Sequence, residues 1–153
     1  WQIGGVAPLD KSNESTVAEL SNGDVMLNMR RSSGTSRYVA TSTDYGITWK
    51  NMKTDDNLIE PVCQGSLLSS SMKGVHTLFF SNPASLERKK MTIKKSTDNG
   101  MTWTQSYLVY AGPSAYSDIV KLTDTHIGIL YEAGVNSAYM GIGFKVIPLS
   151  AFK

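Results

Sequence analysis

The side chains most often used for nucleophilic or metal chemistry, cysteine and histidine, are poorly placed for it in this chain. Cys63 is the one cysteine, so an internal disulfide and a multi-cysteine metal site are both excluded. Within Pro61-Val62-Cys63-Gln64-Gly65 it reads as a small core residue rather than a reactive thiol. His76 and His126 lie 50 residues apart with no ligand-like companions, and Gly141-Ile142-Gly143 lacks the strand-to-helix context of a phosphate loop. Neither a metal nor a cofactor is expected. What remains is phenols, carboxylates and guanidinium groups. A phenol with a reference pKa of about 10 is a poor nucleophile at neutral pH unless a base and positive charge lie beside it. A guanidinium fork can grip a carboxylate through two hydrogen bonds and also favour a developing phenolate. On residue type alone each has a plainer reading. Tyr116, just after Gly112-Pro113 at a strand start, often only packs, and strand arginines are mostly solvated.

The rest of the composition narrows the field. With 153 residues, 41% of them hydrophobic, the chain can bury one core and shows no sign of disorder. Fifteen Lys and Arg against 13 Asp and Glu leave a net charge of +2, too weak a field to recruit nucleic acid. The basic run Arg88, Lys89, Lys90, Lys94, Lys95 is divided between two faces by strand alternation, so it makes solvated strand residues rather than a nucleic-acid patch. No run approaches the roughly 20 apolar residues of a bilayer span. The opening Trp1-Gln2-Ile3-Gly4-Gly5 lacks the regions of a signal peptide, and a chain opening on Trp1 is expected to have sequence upstream.

Short β-branched and aromatic runs recur every eight to twelve residues, separated by turn residues, which predicts an all-β chain. Strands are expected near 15–20, 25–30, 37–43 and 48–53, then 65–70, 75–80, 90–96 and 102–109, then 117–121, 126–131 and 138–146. This makes groups of four, four and three. Asn22-Gly23-Asp24 is a hairpin signal, with similar punctuation at Lys73-Gly74 and Thr123-Asp124. One octapeptide pattern occurs twice, as Ser42-Thr43-Asp44-Tyr45-Gly46-Ile47-Thr48-Trp49 and as Ser96-Thr97-Asp98-Asn99-Gly100-Met101-Thr102-Trp103. The copies lie 54 residues apart from Ser42 to Ser96, a spacing that suits a four-stranded repeat. Each suits a hairpin between third and fourth strands: Ser and Asp bond the turn's amides, Gly takes the left-handed conformation, and Trp covers the apolar flank.

The pattern S-x-D-x-G-x-T-W resembles the Asp box (BNR repeat) of sialidases and related β-propellers. Four further segments resemble the catalytic segments of bacterial-type exo-sialidases, in the family's order. They are Asn13 to Leu20 followed by Asn22-Gly23-Asp24 and Leu27-Asn28-Met29-Arg30; Ser81-Asn82-Pro83 through Arg88 and Met91-Thr92-Ile93; Ala115-Tyr116-Ser117-Asp118; and Ile129-Leu130-Tyr131-Glu132. The resemblance implies a six-bladed propeller of which residues 1–153 supply about blades four to six, the N-terminal half being a separate or preceding piece. It implies Tyr116 as nucleophile, Glu14 as its paired carboxylate, and Arg30 and Arg88 as two of three arginines for the substrate carboxylate. Glu132 would hold the third arginine, which, with the acid/base aspartate, lies upstream in the family and has no match here. Retaining hydrolysis of terminal sialic acids from glycans would follow, with a neutral phenol suiting an anionic sugar better than a carboxylate nucleophile. Non-catalytic glycan binding by an Asp-box propeller, and a trans-sialidase or anhydro product, are the alternatives. Position 90 departs from the family's asparagine. The implied protein is secreted, periplasmic or at the cell surface of a bacterium, in which the sequon Asn13-Glu14-Ser15 would go unused. The chain by itself is expected to be inactive.

Overall fold

The computed structural model describes residues 3–7 and 10–153; Trp1, Gln2, Pro8 and Leu9, and with them the tryptophan start, lie outside the described residues. Among the described residues there are ten strands, no α-helix, and one 3-10 turn at Leu149–Ala151. Strands β1 (Ser12–Glu19), β2 (Val25–Arg31), β3 (Ser36–Ser42) and β4 (Lys50–Ile59) form an antiparallel sheet in sequential order. The others are β5 (Ser66–Met72), β6 (Val75–Pro83), β7 (Lys89–Ser96), β8 (Gln105–Lys121), β9 (His126–Ala133) and β10 (Gly141–Pro148), also in sequential antiparallel order. Gly23 has φ 84° in the first hairpin, and Lys73 and Gly74 have φ 52° and 79° in the two-residue turn joining β5 to β6, the positive values that such turns require.

One expectation is corrected. The strands read at 102–109 and 117–121 are a single 17-residue strand, β8. It pairs with β7 over Gln105–Pro113 and with β9 over Ser114–Lys121, so one strand belongs to two layers. Gly112-Pro113 looks like a break, but extended backbone accommodates proline wherever no ladder N–H is needed. Here the Pro113 carbonyl accepts the Gly134 N–H at 3.2 Å. The strand expected from 138 starts at Gly141, after a turn, and β4 continues to Ile59.

Strand β6 is buried on both of its faces from Thr77 to Pro83, which is why its sequence runs apolar without alternation. Leu78 and Phe80 face the first sheet, in a core with Ala18, Leu20, Met26, Leu58, Leu67 and Trp103. Phe79 points the other way, with Met91, Ile93, Ile119, Ile127, Ile129 and Ile147. Each such phenylalanine contributes up to about 3 kcal/mol by leaving water.

The two Asp boxes have the same hydrogen bonds and both join a third strand to a fourth. In the first, the Gly46 N–H donates to Ser42 Oγ at 2.8 Å, and the Thr48 N–H and hydroxyl donate to the Asp44 carboxylate at 2.8 and 2.6 Å. In the second, Gly100 to Ser96 and Thr102 to Asp98 repeat these bonds at 2.9, 3.0 and 2.6 Å. Two successive left-handed residues, Tyr45-Gly46 and Asn99-Gly100, make the turn. Trp103 Nε1 donates to Asp55 at 3.0 Å and Trp49 Nε1 to the Gly5 carbonyl at 2.9 Å. The donated bonds, first that of the Thr48 hydroxyl, pull the Asp44 carboxyl down to about 2. Burial pushes Asp98 up, but the bonds from Thr102 and Ser96 outweigh it and its pKa is also lowered.

An ion pair that the sequence did not announce joins β3 to the segment after β4. Arg37 and Glu60 have fully buried side chains 2.7 Å apart. Arg37 Nη1 also donates to the Cys63 carbonyl, and Nε to Asn28 Oδ1, each at 2.7 Å. The second Glu60 oxygen accepts the Arg31 N–H at 2.9 Å. Desolvation lowers the Arg37 pKa, and the charge of Glu60 opposes that shift.

Carboxylates with depressed pKa values stabilise the fold above their unfolded pKa, here 3.8, and lose that contribution as pH falls through the folded value. Urea titrations are expected to show stability falling as pH drops from about 4 towards 2, and a smaller fall in the Asp44→Asn/Asp98→Asn variant; parallel pH profiles would refute the assignment. Arg37→Met, which strands Glu60 as a buried charge, is expected to cost about 3–5 kcal/mol in the same assay, part of it recovered in Arg37→Met/Glu60→Met.

Candidate active site

Glu14 and Tyr116 both stand in β-bulges. Between Ser12 and Ser15, β1 carries one residue more than the β2 segment from Arg31 to Met29. Between Ser114 and Ser117, β8 carries one more than β9 from Ala133 to Tyr131. An extra residue turns a side chain out of the regular alternation. The first bulge sets Glu14 against Arg30, and the second sets Tyr116 against Glu132.

These two pairs meet. The Tyr116 hydroxyl donates to Glu14 Oε1, while Arg30 Nη1 donates to Glu14 Oε2 at 2.5 Å. One carboxylate thereby serves a phenol on one oxygen and a guanidinium on the other. The Arg88 guanidinium carbon lies 5.8 Å from the Tyr116 ring centroid, within cation–π range. Glu132 Oε2 accepts the Tyr116 N–H at 3.0 Å, and Oε1 has no hydrogen-bond partner among the described residues. The structure thus brings Glu14, Arg30, Arg88, Tyr116 and Glu132 to one place. Arg31 departs from it, stacking 4.5 Å over the Tyr38 ring, as strand alternation requires of the neighbour of Arg30. Arg30 Nε is buried without a partner among the described residues, so this guanidinium has donors to spare.

The electrostatics favour a neutral phenol beside an ionised carboxylate. Burial pushes the Glu14 carboxyl up, but the hydrogen bonds from Tyr116 and Arg30 and the charges of Arg30 and Arg88 prevail, leaving it below its ordinary value. The hydrogen bond to Glu14 raises the Tyr116 phenol, burial adds to this, and Arg30 opposes it. The bond to Glu14 also raises Arg30. The Cys63 thiol, pushed up to about 11 by burial, stays protonated and unreactive.

Several residues that hold this arrangement had no signal in the sequence. The Val62 carbonyl accepts Arg88 Nη2 at 2.9 Å, Val62 itself having φ 54°. Gln64 pairs twice with the Ser117 backbone, each bond 3.0 Å. Tyr139 accepts a hydrogen bond from Arg88 Nη1. Lys90, where the sequence departs from the expected asparagine, has φ 61°, a conformation asparagine tolerates better than lysine. A cleft of about 310 Å³ opens beside Tyr116, lined by Gln64, Asp118, Leu130, Glu132 and Ile142 among others. Of the basic run, Lys94 donates to the Asn57 carbonyl while Lys95 binds Gln105 at 3.0 Å and Lys89 binds Glu87 at 2.7 Å. The histidines bond to hydroxyls, His76 to Ser69 and His126 to Thr125, both at 2.9 Å. Among the described residues no group of three His, Cys, Asp or Glu side chains could hold a metal.

Comparison with known proteins bears on the family and the fold. The BNR repeat-like domain family matches residues 1–129. A sialidase of Bacteroides fragilis is 39% identical over 144 residues, 88% of this chain and 26% of its own. One of Micromonospora viridifaciens is 34% identical over 147 residues, 91% of this chain and 23% of its own. The solved structure of a Hadza microbial sialidase superposes with a TM-score of 0.83 at 37% identity, covering 94% of this chain and 29% of that one. The chain therefore spans about a quarter of the length of the relatives it matches, and its two sheets align with part of a sialidase β-propeller. A matched family across most of the chain and relatives that agree with it make one conclusion plain: this chain belongs to the sialidase family, as part of its BNR repeat-like propeller domain.

Proposed function

We propose that this chain supplies the nucleophile, its base and two substrate-binding arginines of a retaining exo-α-sialidase. The observation that carries the reading is the shared carboxylate of Glu14, bonded to the Tyr116 hydroxyl and to Arg30 at once. A binder of glycans needs no phenol coupled to a carboxylate, so this contact favours the enzyme over the non-catalytic alternative.

Arg30 and Arg88 grip the carboxylate on the anomeric carbon and hold that carbon over Tyr116 Oη. As the phenol oxygen attacks, its proton passes to Glu14, the bond from oxygen to the anomeric carbon forms and the glycosidic bond breaks. The leaving oxygen is protonated by an acid that lies outside this chain. In the second half, water attacks the anomeric carbon and gives its proton to the conjugate base of that same outside acid, the departing tyrosine recovers its proton from Glu14, and two displacements retain configuration. Because the phenol is neutral at rest, the proton moves with the attack and no standing phenolate is needed. The spare oxygen of Glu132, on the cleft wall, suits the family's remaining arginine.

Relatives about four times longer and the outer face of the β8–β10 layer support a complementary part of the propeller as partner. Val120, Leu130, Ile142, Phe144 and Val146 are all exposed there, an apolar sheet face of the kind that packs against another blade. In this reading the residues form about blades four to six. The chain alone is inactive, and the substrates are sialylated glycans met outside the cytoplasm.

In the complete enzyme, Tyr116→Phe is expected to lower kcat for an aryl sialoside by on the order of 10³-fold or more, with the thermal midpoint retained. Glu14→Gln is expected to cost about 10²–10⁴-fold. Undiminished turnover by the tyrosine variant would end the proposal.

A further inference from the structure

Tyr139 stands in the loop between β9 and β10, 63% exposed, with no role assigned by the reading above. Exposure would ordinarily mark a solvated ring, but this one is held in place. Its neighbour Ala138 is buried in a small apolar cluster with Cys63 and Ala115, the residues adjacent in sequence to Val62 and Tyr116. The loop is tight: the Gly134 N–H donates to the Pro113 carbonyl at 3.2 Å, and Tyr110 Oη donates to the Gly134 carbonyl at 3.1 Å. A Cβ on Gly134 would stand 2.4 Å from the Ser137 carbonyl oxygen. The Tyr139 N–H donates to Ser137 Oγ at 3.3 Å. One alanine thus docks the loop beneath the site and sets the next residue over Arg88.

The bond between Tyr139 and Arg88 has a definite polarity. A guanidinium has only donors, so Arg88 Nη1 donates and the phenol oxygen accepts. The phenol's own proton is left without an acceptor among the described residues. Arg88 Nη2 is turned to the Val62 carbonyl at 2.9 Å, which fixes the guanidinium plane and leaves one proton on each terminal nitrogen to give. An anion gripped by Arg88 through Nη1 therefore lies within reach of a phenol hydroxyl that has a hydrogen to donate.

We infer that Tyr139 is a substrate-binding residue, donating a hydrogen bond to the carboxylate that Arg88 holds. This inference rests on the sialidase reading and adds a neutral donor to the anion site, contributed by a loop. Its contribution falls on binding, since the carboxylate carries the same charge before and during the reaction and the contact lies away from the bonds that change.

The test is Tyr139→Phe in the complete enzyme, which removes one oxygen from an exposed ring. KM for an aryl sialoside is expected to rise about three- to tenfold with kcat within about twofold and the thermal midpoint unchanged. The inhibition constant of a carboxylate-bearing, 2,3-unsaturated sugar acid is expected to rise by the same factor. An unchanged KM overturns the inference. So does a lowered KM, which would mean that Tyr139 competes with the ligand for Arg88, or a fall in kcat alone. If Tyr116→Phe also turns over normally, the sialidase reading itself has failed; if Tyr116→Phe is dead and Tyr139→Phe is normal, only this inference has.

Discussion

Glu14 and Tyr116 are 102 positions apart in the chain, and they touch because strand β6 between their layers is buried on both of its faces. Strand β6 sends Leu78 and Phe80 into the core under β1 and β2, and Phe79 into the core under β9 and β10. The first and third layers are thereby held a fixed distance apart on either side of the second. Their ends then project Glu14 from one side and Tyr116 from the other into a shared space. A smaller residue in the middle of β6 would be felt in both cores, because packed interiors relax only partly around a void.

Within that frame, charge is distributed so that one carboxylate does the coupling. Burial raises the Glu14 carboxyl but is outweighed by the hydrogen bonds from Tyr116 and Arg30 and the charges of Arg30 and Arg88, and the hydrogen bond to Glu14 in turn raises the Tyr116 phenol. The ion pair of Arg37 and Glu60 has another task. Its charges are fully buried, and their bonds reach Asn28, the Arg31 amide and the Cys63 carbonyl. The strand bearing Arg30 is thus tied to the segment whose Val62 carbonyl holds Arg88. Such a pair adds little net stability against an apolar substitute of the same shape. The Asp boxes stand outside this network and act as clips, each closing one strand pair with bonds that repeat to within 0.2 Å.

Much of this was legible in the residues. Alternating runs and turn residues, together with two copies of one octapeptide, determined an all-β chain with hairpins in the right places, because hydrogen-bonding turns and strand periodicity are local properties. The resemblance of short segments to exo-sialidases selected Glu14, Arg30, Arg88, Tyr116 and Glu132. Tertiary structure decided the remainder. Bulges at Asn13–Glu14 and Ala115–Tyr116 are defined by a count of residues on the opposite strand, which no window of one strand contains. The continuity of β8 through Gly112-Pro113, the buried charge of Arg37, the Val62 carbonyl under Arg88 and the hydroxyl of Tyr139 beside it all depend on what a distant segment presents at that point. A sequence records what each residue is able to do; which partner it meets is set by packing between layers.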